Sequence, residues 1–214
     1  MGPIFDAAWI SLAVAFVSVV LTIPPALIAA TLLYRSRWRV LEVFFLLPLL
    51  LPPTVCGFAL LMLLSPYRFP GYLLALLDLK VVFTPWGTVL ACCVMGFPLA
   101  FQACILGLSR VSIEVLESAR LLSSSWALNT VRVVWPQLGG ALGIAALLVF
   151  ARSVGEFGAS AMVGGNQPGV TQTLPLLIFS ATETGRFSQA GWAALVSLTV
   201  GIVVYLLLRA AERR

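Results

Sequence analysis

Apolar residues run along this chain in five long stretches, at about 9–33, 41–64, 86–108, 138–163 and 189–208, with short polar segments between them. A hydrocarbon core about 30 Å thick is crossed by roughly 20 helical residues, so each stretch is long enough to span. Backbone in lipid must satisfy its own hydrogen bonds, and the alternating pattern of a β-barrel strand is absent. The pattern therefore predicts an all-α membrane protein with about five transmembrane helices. The first stretch follows "MGPIFDAAW", which has no basic n-region, and its apolar run outlasts the roughly 7–15 residues of a signal-peptide core. A retained membrane helix is expected there.

Interruptions within these stretches carry more detail. Pro24 and Pro25 predict a kink near the end of the first span. The second, "FFLLPLLLPPTVCGFALL", holds Pro48, Pro52, Pro53 and Gly57. Prolines in a span free backbone carbonyls, and broken helices of this kind face protein or a water-filled path. Residues 65–85 form a loop whose inner part is amphipathic, suited to a short helix at the membrane surface. After residue 164 come Gly, Asn and Pro, then an apolar piece, Leu174–Ala181, too short to span. It either dips part-way into the membrane or lies on its surface.

Charge sets an expected orientation. Segments 34–40, 109–137 and 209–214 hold nine arginines, against three basic residues (Arg68, Lys80, Arg186) in segments 1–8, 64–85 and 164–188. The positive-inside rule places the first group in the cytoplasm, with the N-terminus outside and the C-terminus inside. The net charge of +5 thus reports topology, and no nucleic-acid partner is expected. At 10% charged and 61% hydrophobic residues, against about 25% charged in ordinary domains, the lipid bilayer itself is the surrounding partner. Cys56, Cys92, Cys93 and Cys104 all fall in spans, without metal-site spacing, and read as packing residues. There is no histidine, which removes His-dependent triads and His metal sites. No cofactor or metal is expected.

Two features stand out chemically. Within the fourth apolar stretch, "FARSVGEFGAS" carries Arg152 and Glu156 beside Gly155 and Gly158. On a helix the two charges share a face and can pair, and the glycines let a neighbouring helix or a second copy approach closely. Charges at membrane depth mark function by default. Two roles stand open: a pair lining an anion path together with Pro52 and Pro53, or a structural clasp between helices. The second feature is residues 109–137, "SRVSIEVLESARLLSSSWALNTVRVVWPQ". Glu114 and Glu117 suit the start of a helix, Ser123–Ser125 favour a turn, and Pro136 is expected to stop a second helical piece before the next span. A helix–turn–helix on the cytoplasmic face is shaped to dock in a groove of another protein.

Glu117, Ser118 and Ala119, then Ser123, Val133, Trp135 and Pro136, resemble the EAA loop of bacterial ABC-transporter permeases. Glu117, Ala119 and Pro136 match that pattern outright; Ser118, Ser123 and Trp135 depart from it. "PLLLPPTVCGFALL", "FARSVGEFGAS" and "NQPGVTQTLP" are similar, in the same order, to stretches of the molybdate permease family and its tungstate and sulfate relatives. "MVGGN" (162–166) is somewhat more similar to the tungstate branch. The resemblance covers about residues 8–208 and implies one type I ABC importer permease domain with 109–137 as the coupling loop. It further implies a homodimer in the bacterial cytoplasmic (inner) membrane, two cytoplasmic ATPase subunits held through Glu114, Glu117, Ser118, Ala119, Ser123 and Pro136, and an external oxyanion-binding protein. Molybdate is the expected cargo, with tungstate or sulfate as the alternative. No Walker A loop is present and Lys80 is the only lysine, so the chain itself is not expected to be the ATPase or any enzyme. An intramembrane enzyme would need clustered carboxylates or histidine, and a secondary transporter would show paired repeats, which are not found.

Overall fold

A computed structural model of the chain describes residues 2–34, 39–112, 114, 115, 117 and 125–212. Helices α1 (Gly2–Leu33), α2 (Arg39–Leu50), α3 (Pro53–Leu63), α4 (Gly71–Leu76) and α5 (Pro85–Ser109) come first. They are followed by α6 (Trp126–Val154), α7 (Gly158–Val163), α8 (Leu174–Glu183) and α9 (Phe187–Glu212). No strand occurs among the described residues.

The frame is α1 against α5. Val14 meets Val89 and Cys92, Ala26 meets Ala100, and Leu27 and Ala30 meet Phe101 and Cys104. Numbers rise together, so the two helices are parallel. Alanine recurs along the seam (Ala26, Ala30, Ala100), each at 1% exposure or less, because small residues let backbones approach where lipid supplies no hydrophobic drive. The seam also carries polar ties: Ser18 Oγ donates to Val89 O at 3.3 Å, and Cys93 Sγ lies 3.8 Å from Ser18 O.

Parallel α1 and α5 require the chain between them to cross back. Helices α2 and α3 do this in two pieces, bent by 116° at Leu51–Pro52. Phe45 stacks on Phe97 and Phe101, with centroids 5.3 and 5.4 Å away, while Cys56 packs on Ala91 and Met95. The pair therefore runs antiparallel to α5 and counts as one broken span. Pro53 occupies the first turn of α3, where its missing N–H is harmless and its fixed φ suits the start of a new helix after the break.

Helix α6 also runs against α5: a Cβ on Gly107 would meet Ala141, one on Gly96 would meet Val149, and Cys92 lies at Ser153. Helix α9 runs with α1, from Ala193 beside Ala7 to Val204 near Leu12. The crossings alternate, so loops 64–84 and 164–186 share the face of the N-terminus, and Arg110 and Ser125 lie on the opposite face.

Two expectations need correction. The fourth span does not continue as a helix to 163; it ends at Val154 and restarts at Gly158. Pro136 does not stop a helix. Residues 130–134 widen into a π turn and 135–138 tighten into a 3-10 turn, so the helical path absorbs the missing Pro136 N–H and runs on. Pro24 and Pro25 sit inside α1, which stays helical through both. The apolar piece after residue 173, left open between two placements, packs as α8 on the first turns of α1 and α9 through Leu174, Leu177, Ala7 and Ala193.

Labelling checks this arrangement. In a variant without cysteines, single cysteines at Tyr67 and Ser188, both exposed, should react with an impermeant reagent from one side of the membrane. Cysteine at exposed Ser109 should react only from the other. Labelling of Tyr67→Cys and Ser109→Cys from a common side would mean that α2 and α3 double back without crossing.

Candidate functional site

The break in the fourth span is made by Gly155–Phe157. Gly155 closes α6, its N–H donating to Ala151 O at 3.3 Å, and Glu156 N–H donates to Ser153 O at 3.2 Å. Glu156 then turns inward to 1% exposure, the deepest burial of any acidic group among the described residues. One carboxylate oxygen, Oε1, accepts the Ala159 N–H at 2.7 Å, capping α7; the other, Oε2, meets the Arg152 guanidinium in an ion pair. Arg152 is 25% exposed, so the cation forms the accessible edge of the pair. The four-residue spacing brings the charges together, but across a helix end and not along one helical face.

The glycines divide in their work. A Cβ on Gly158 would stand 3.1 Å from Pro53 Cβ and from the Thr54 backbone nitrogen, and one on Gly57 would stand 2.7 Å from Ala159 Cα. These two glycines press the starts of α3 and α7 together, so the two broken spans break in contact with each other. Gly155 has no such role. Its φ of −89° is open to any residue, and a Cβ there would meet nothing closer than 3.7 Å. The expected close approach at Gly155 is therefore absent within this chain. Pro52 and Pro53 are exposed at the joint.

Around the joint lie Cys92, whose Sγ is 3.8 Å from both Ser153 O and Ser160 Oγ, and the Ser153 hydroxyl, buried without a partner among the described residues. Below it a groove of about 670 Å³ runs between α5 and α6. Its α6 wall is Gln137, Ala141, Ile144 and Leu148, and its α5 wall includes Leu99, Gln102, Leu106 and Arg110. Arg152 is one helical turn beyond Leu148 on the same stripe of α6.

The segment 109–137 is described in part. Glu114 and Glu117 are helical and exposed; Ser118, Ala119 and Ser123 lie outside the described residues. The Ser112 hydroxyl and a backbone N–H hold the Glu114 carboxyl below its usual range, so it stays ionised at neutral pH. Ser125 caps Trp126–Asn129, its Oγ accepting the Leu128 N–H at 3.4 Å. Trp135 Nε1 donates to Thr31 Oγ1 at 3.1 Å, pinning the segment to the end of α1, while Pro136 is exposed.

The polar run after residue 164 proves to be a built cap, which residue reading left without a role. Asn166 Nδ2 donates to Ser180 Oγ at 2.6 Å and Gln172 Nε2 to Asn166 Oδ1 at 2.9 Å. Gln167 N donates to Thr171 Oγ1 at 3.0 Å and Leu174 N to Ser11 Oγ at 2.8 Å. Gly165 and Gly169 at φ +75° and +74° shape its turns. The signal was the density of Asn, Gln and Thr beside two such glycines.

Together these features define a polytopic helical membrane protein whose two broken spans meet at a buried, charge-paired joint. Its relatives fix the family. The chain is 31% identical over 210 residues to the molybdenum transport system permease protein ModB of Escherichia coli K12, covering 96% of this chain and 92% of that protein. It is 34% identical over 204 residues to ModB of Haemophilus influenzae, covering 92% and 89%. Against the sulfate transport system permease protein CysT of Salmonella typhimurium it is 29% identical over 208 residues, covering 96% and 75%. No family model matches the chain. The chain belongs to the molybdenum transport system permease family.

The joint has a measurable signature. Arg152→Ala and Glu156→Ala should each strand a charge at membrane depth, at about 2.5–3.5 kcal/mol, and lower the thermal midpoint of the purified protein. The double alanine variant should recover part of that loss; strictly additive losses would show that the two side chains do not stabilise each other. Gly158→Val should destabilise by about 1–3 kcal/mol through overpacking, whereas Gly155→Ala should leave the midpoint unchanged.

Proposed function

We propose that the chain is the membrane-spanning subunit of an ATP-driven importer that carries molybdate inward across the bacterial cytoplasmic membrane. Near full-length similarity to proteins named for molybdenum transport supports this most directly. Identity to the sulfate-named relative is lower, which favours molybdate over sulfate as the cargo. The charge bias puts residues 109–137 in the cytoplasm and the 164–173 cap outside.

In this reading two copies pair around the path, two separate ATPase subunits engage the 109–137 segments, and an external binding protein delivers the oxyanion against the cap. Glu114, Glu117, Ser118, Ala119, Ser123 and Pro136 form the coupling surface, and exposed acids at 114 and 117 suit a basic ATPase groove. ATP binding draws the two segments together and rocks the spans. The permease performs no bond chemistry; it offers a route whose walls hold the anion weakly.

Arg152 and Glu156 then act as a clasp that closes the joint of the two broken spans, with Pro52, Pro53, Gly155 and Gly158 around it. Glu156 neutralises the arginine, so a passing anion meets a weakened cation and is not trapped. The α5–α6 groove extends from this joint toward Gln137 and Arg110, where amide and guanidinium donors suit an oxyanion leaving for the cytoplasm.

Reconstitution with the ATPase and binding protein tests the reading. Vesicles should take up molybdate in an ATP-dependent manner, with sulfate competing poorly; uptake of neither anion would overturn the assignment, and preferential sulfate uptake would reassign the cargo. Glu117→Lys should leave insertion intact while separating ATP hydrolysis from transport, since loss of one partner in a buried interfacial pair costs about 2–5 kcal/mol. Normal coupling in that variant would remove Glu117 from the ATPase interface.

A further inference from the structure

A second, larger recess lies far from the joint, on the face shared by the N-terminus and the 164–186 loop. It has a volume of about 1000 Å³, at the upper end of small-ligand sites, and opens between the first turns of α1 and α9. Its floor is apolar, made by Ile4, Ala8, Trp192 and Val196, and its rim is polar at Arg186 and Gln189. Arg186 is held firmly. Gly185 at φ +71° makes the turn between α8 and α9, and Arg186 N–H donates to Ala181 O at 2.7 Å. Its Nε donates to Thr184 Oγ1 at 2.9 Å, and the residue lines the recess.

The recess opens between the ends of two apolar spans. Phe5, Phe187 and Trp192 are 71%, 69% and 63% exposed at the ends of two spans, where aromatic side chains mark the membrane interface. Only 11% of the membrane window of α9 is buried within this chain. Asp6 and Glu183 stand at the same end of the molecule but do not line the recess, so its rim carries a net positive charge. An apolar trough at the interface, ending in one fixed cation, matches a single ligand chemistry: an acyl chain joined to an anionic phosphate.

We propose that this recess is a site for one anionic glycerophospholipid per chain, its acyl chain lying against Ala8 and Trp192 and its headgroup phosphate on Arg186. Zwitterionic lipid fills the trough less well, because its own ammonium is repelled by the uncompensated arginine.

Native mass spectrometry of the detergent-solubilised protein, supplied with phosphatidylglycerol or phosphatidylcholine, tests this. The unaltered protein should retain one phosphatidylglycerol per chain in preference to phosphatidylcholine. Arg186→Gln should reduce phosphatidylglycerol retention about fivefold, as expected for one basic residue at a lipid surface. Ala8→Trp, which fills the trough, should reduce retention of both lipids; Val196→Trp does the same from the other wall should the first variant fold poorly. Equal retention by the unaltered protein and Arg186→Gln would overturn the proposal. So would displacement of the lipid by inorganic phosphate alone. Dissociation of dimers by Ala8→Trp and Val196→Trp with lipid retention unchanged would give the recess to a second copy of the chain and likewise overturn it.

Discussion

Burying an ionised carboxylate in an apolar medium is among the most expensive things a protein can do, and Glu156 is the point around which this fold arranges the compensation. The carboxylate has an arginine on one oxygen and a helix N-terminal amide on the other. The amide partner would not exist without the helix break, because an unbroken helix leaves no free N–H at Ala159. The break in turn depends on a surface against which exposed backbone can be shielded. That surface is the start of α3, which is itself the product of Pro52 and Pro53. Charge, glycine and proline thus hold one another in place.

The parallel α1–α5 pair gives this joint something rigid to stand on. Its seam is built of alanine, serine and cysteine, so the two backbones approach closely and exchange weak polar contacts where larger side chains would only have met. Both broken spans pack on α5. The end of α7 adds a second constraint, since Phe83 N–H donates to Val163 O at 2.7 Å and ties the 64–84 connection to that helix directly.

Much of the architecture was legible in the sequence because lipid imposes a blunt rule: apolar runs of sufficient length become helices. The class of fold, the fracture of the second span at its prolines and the pairing of Arg152 with Glu156 all follow from that rule and from charge economy. The interior of the fourth span was not legible. Val154, Phe157, Ala159 and Val163 are as apolar as any helix, and only tertiary contact with Pro53 and Thr54 makes interruption at Gly155–Phe157 cheaper than continuation. Pro136 misled for the opposite reason. A proline reads as a stop, yet a widened turn before it and a tightened turn after it carry the chain through without a gap. The cap at 164–173 was invisible as a unit because its stability lies in side-chain pairings, which have no periodicity.

The continuity at Pro136 has a mechanical meaning. From Trp126 to Val154 the chain is one helical rod of 29 residues, on the order of 40 Å long at about 1.5 Å per residue. Its only irregular stretch is the π and 3-10 pair near one end. A rod of this kind does not dissipate a push; it converts movement at Trp126 into tilt or translation at Arg152. The Trp135–Thr31 hydrogen bond sits beside the irregular stretch and ties it to α1. With that point as a pivot, the arm from Trp135 to Arg152 is about twice as long as the arm from Trp126 to Trp135. A small excursion of the short arm is therefore magnified at the long one, where the charge pair stands.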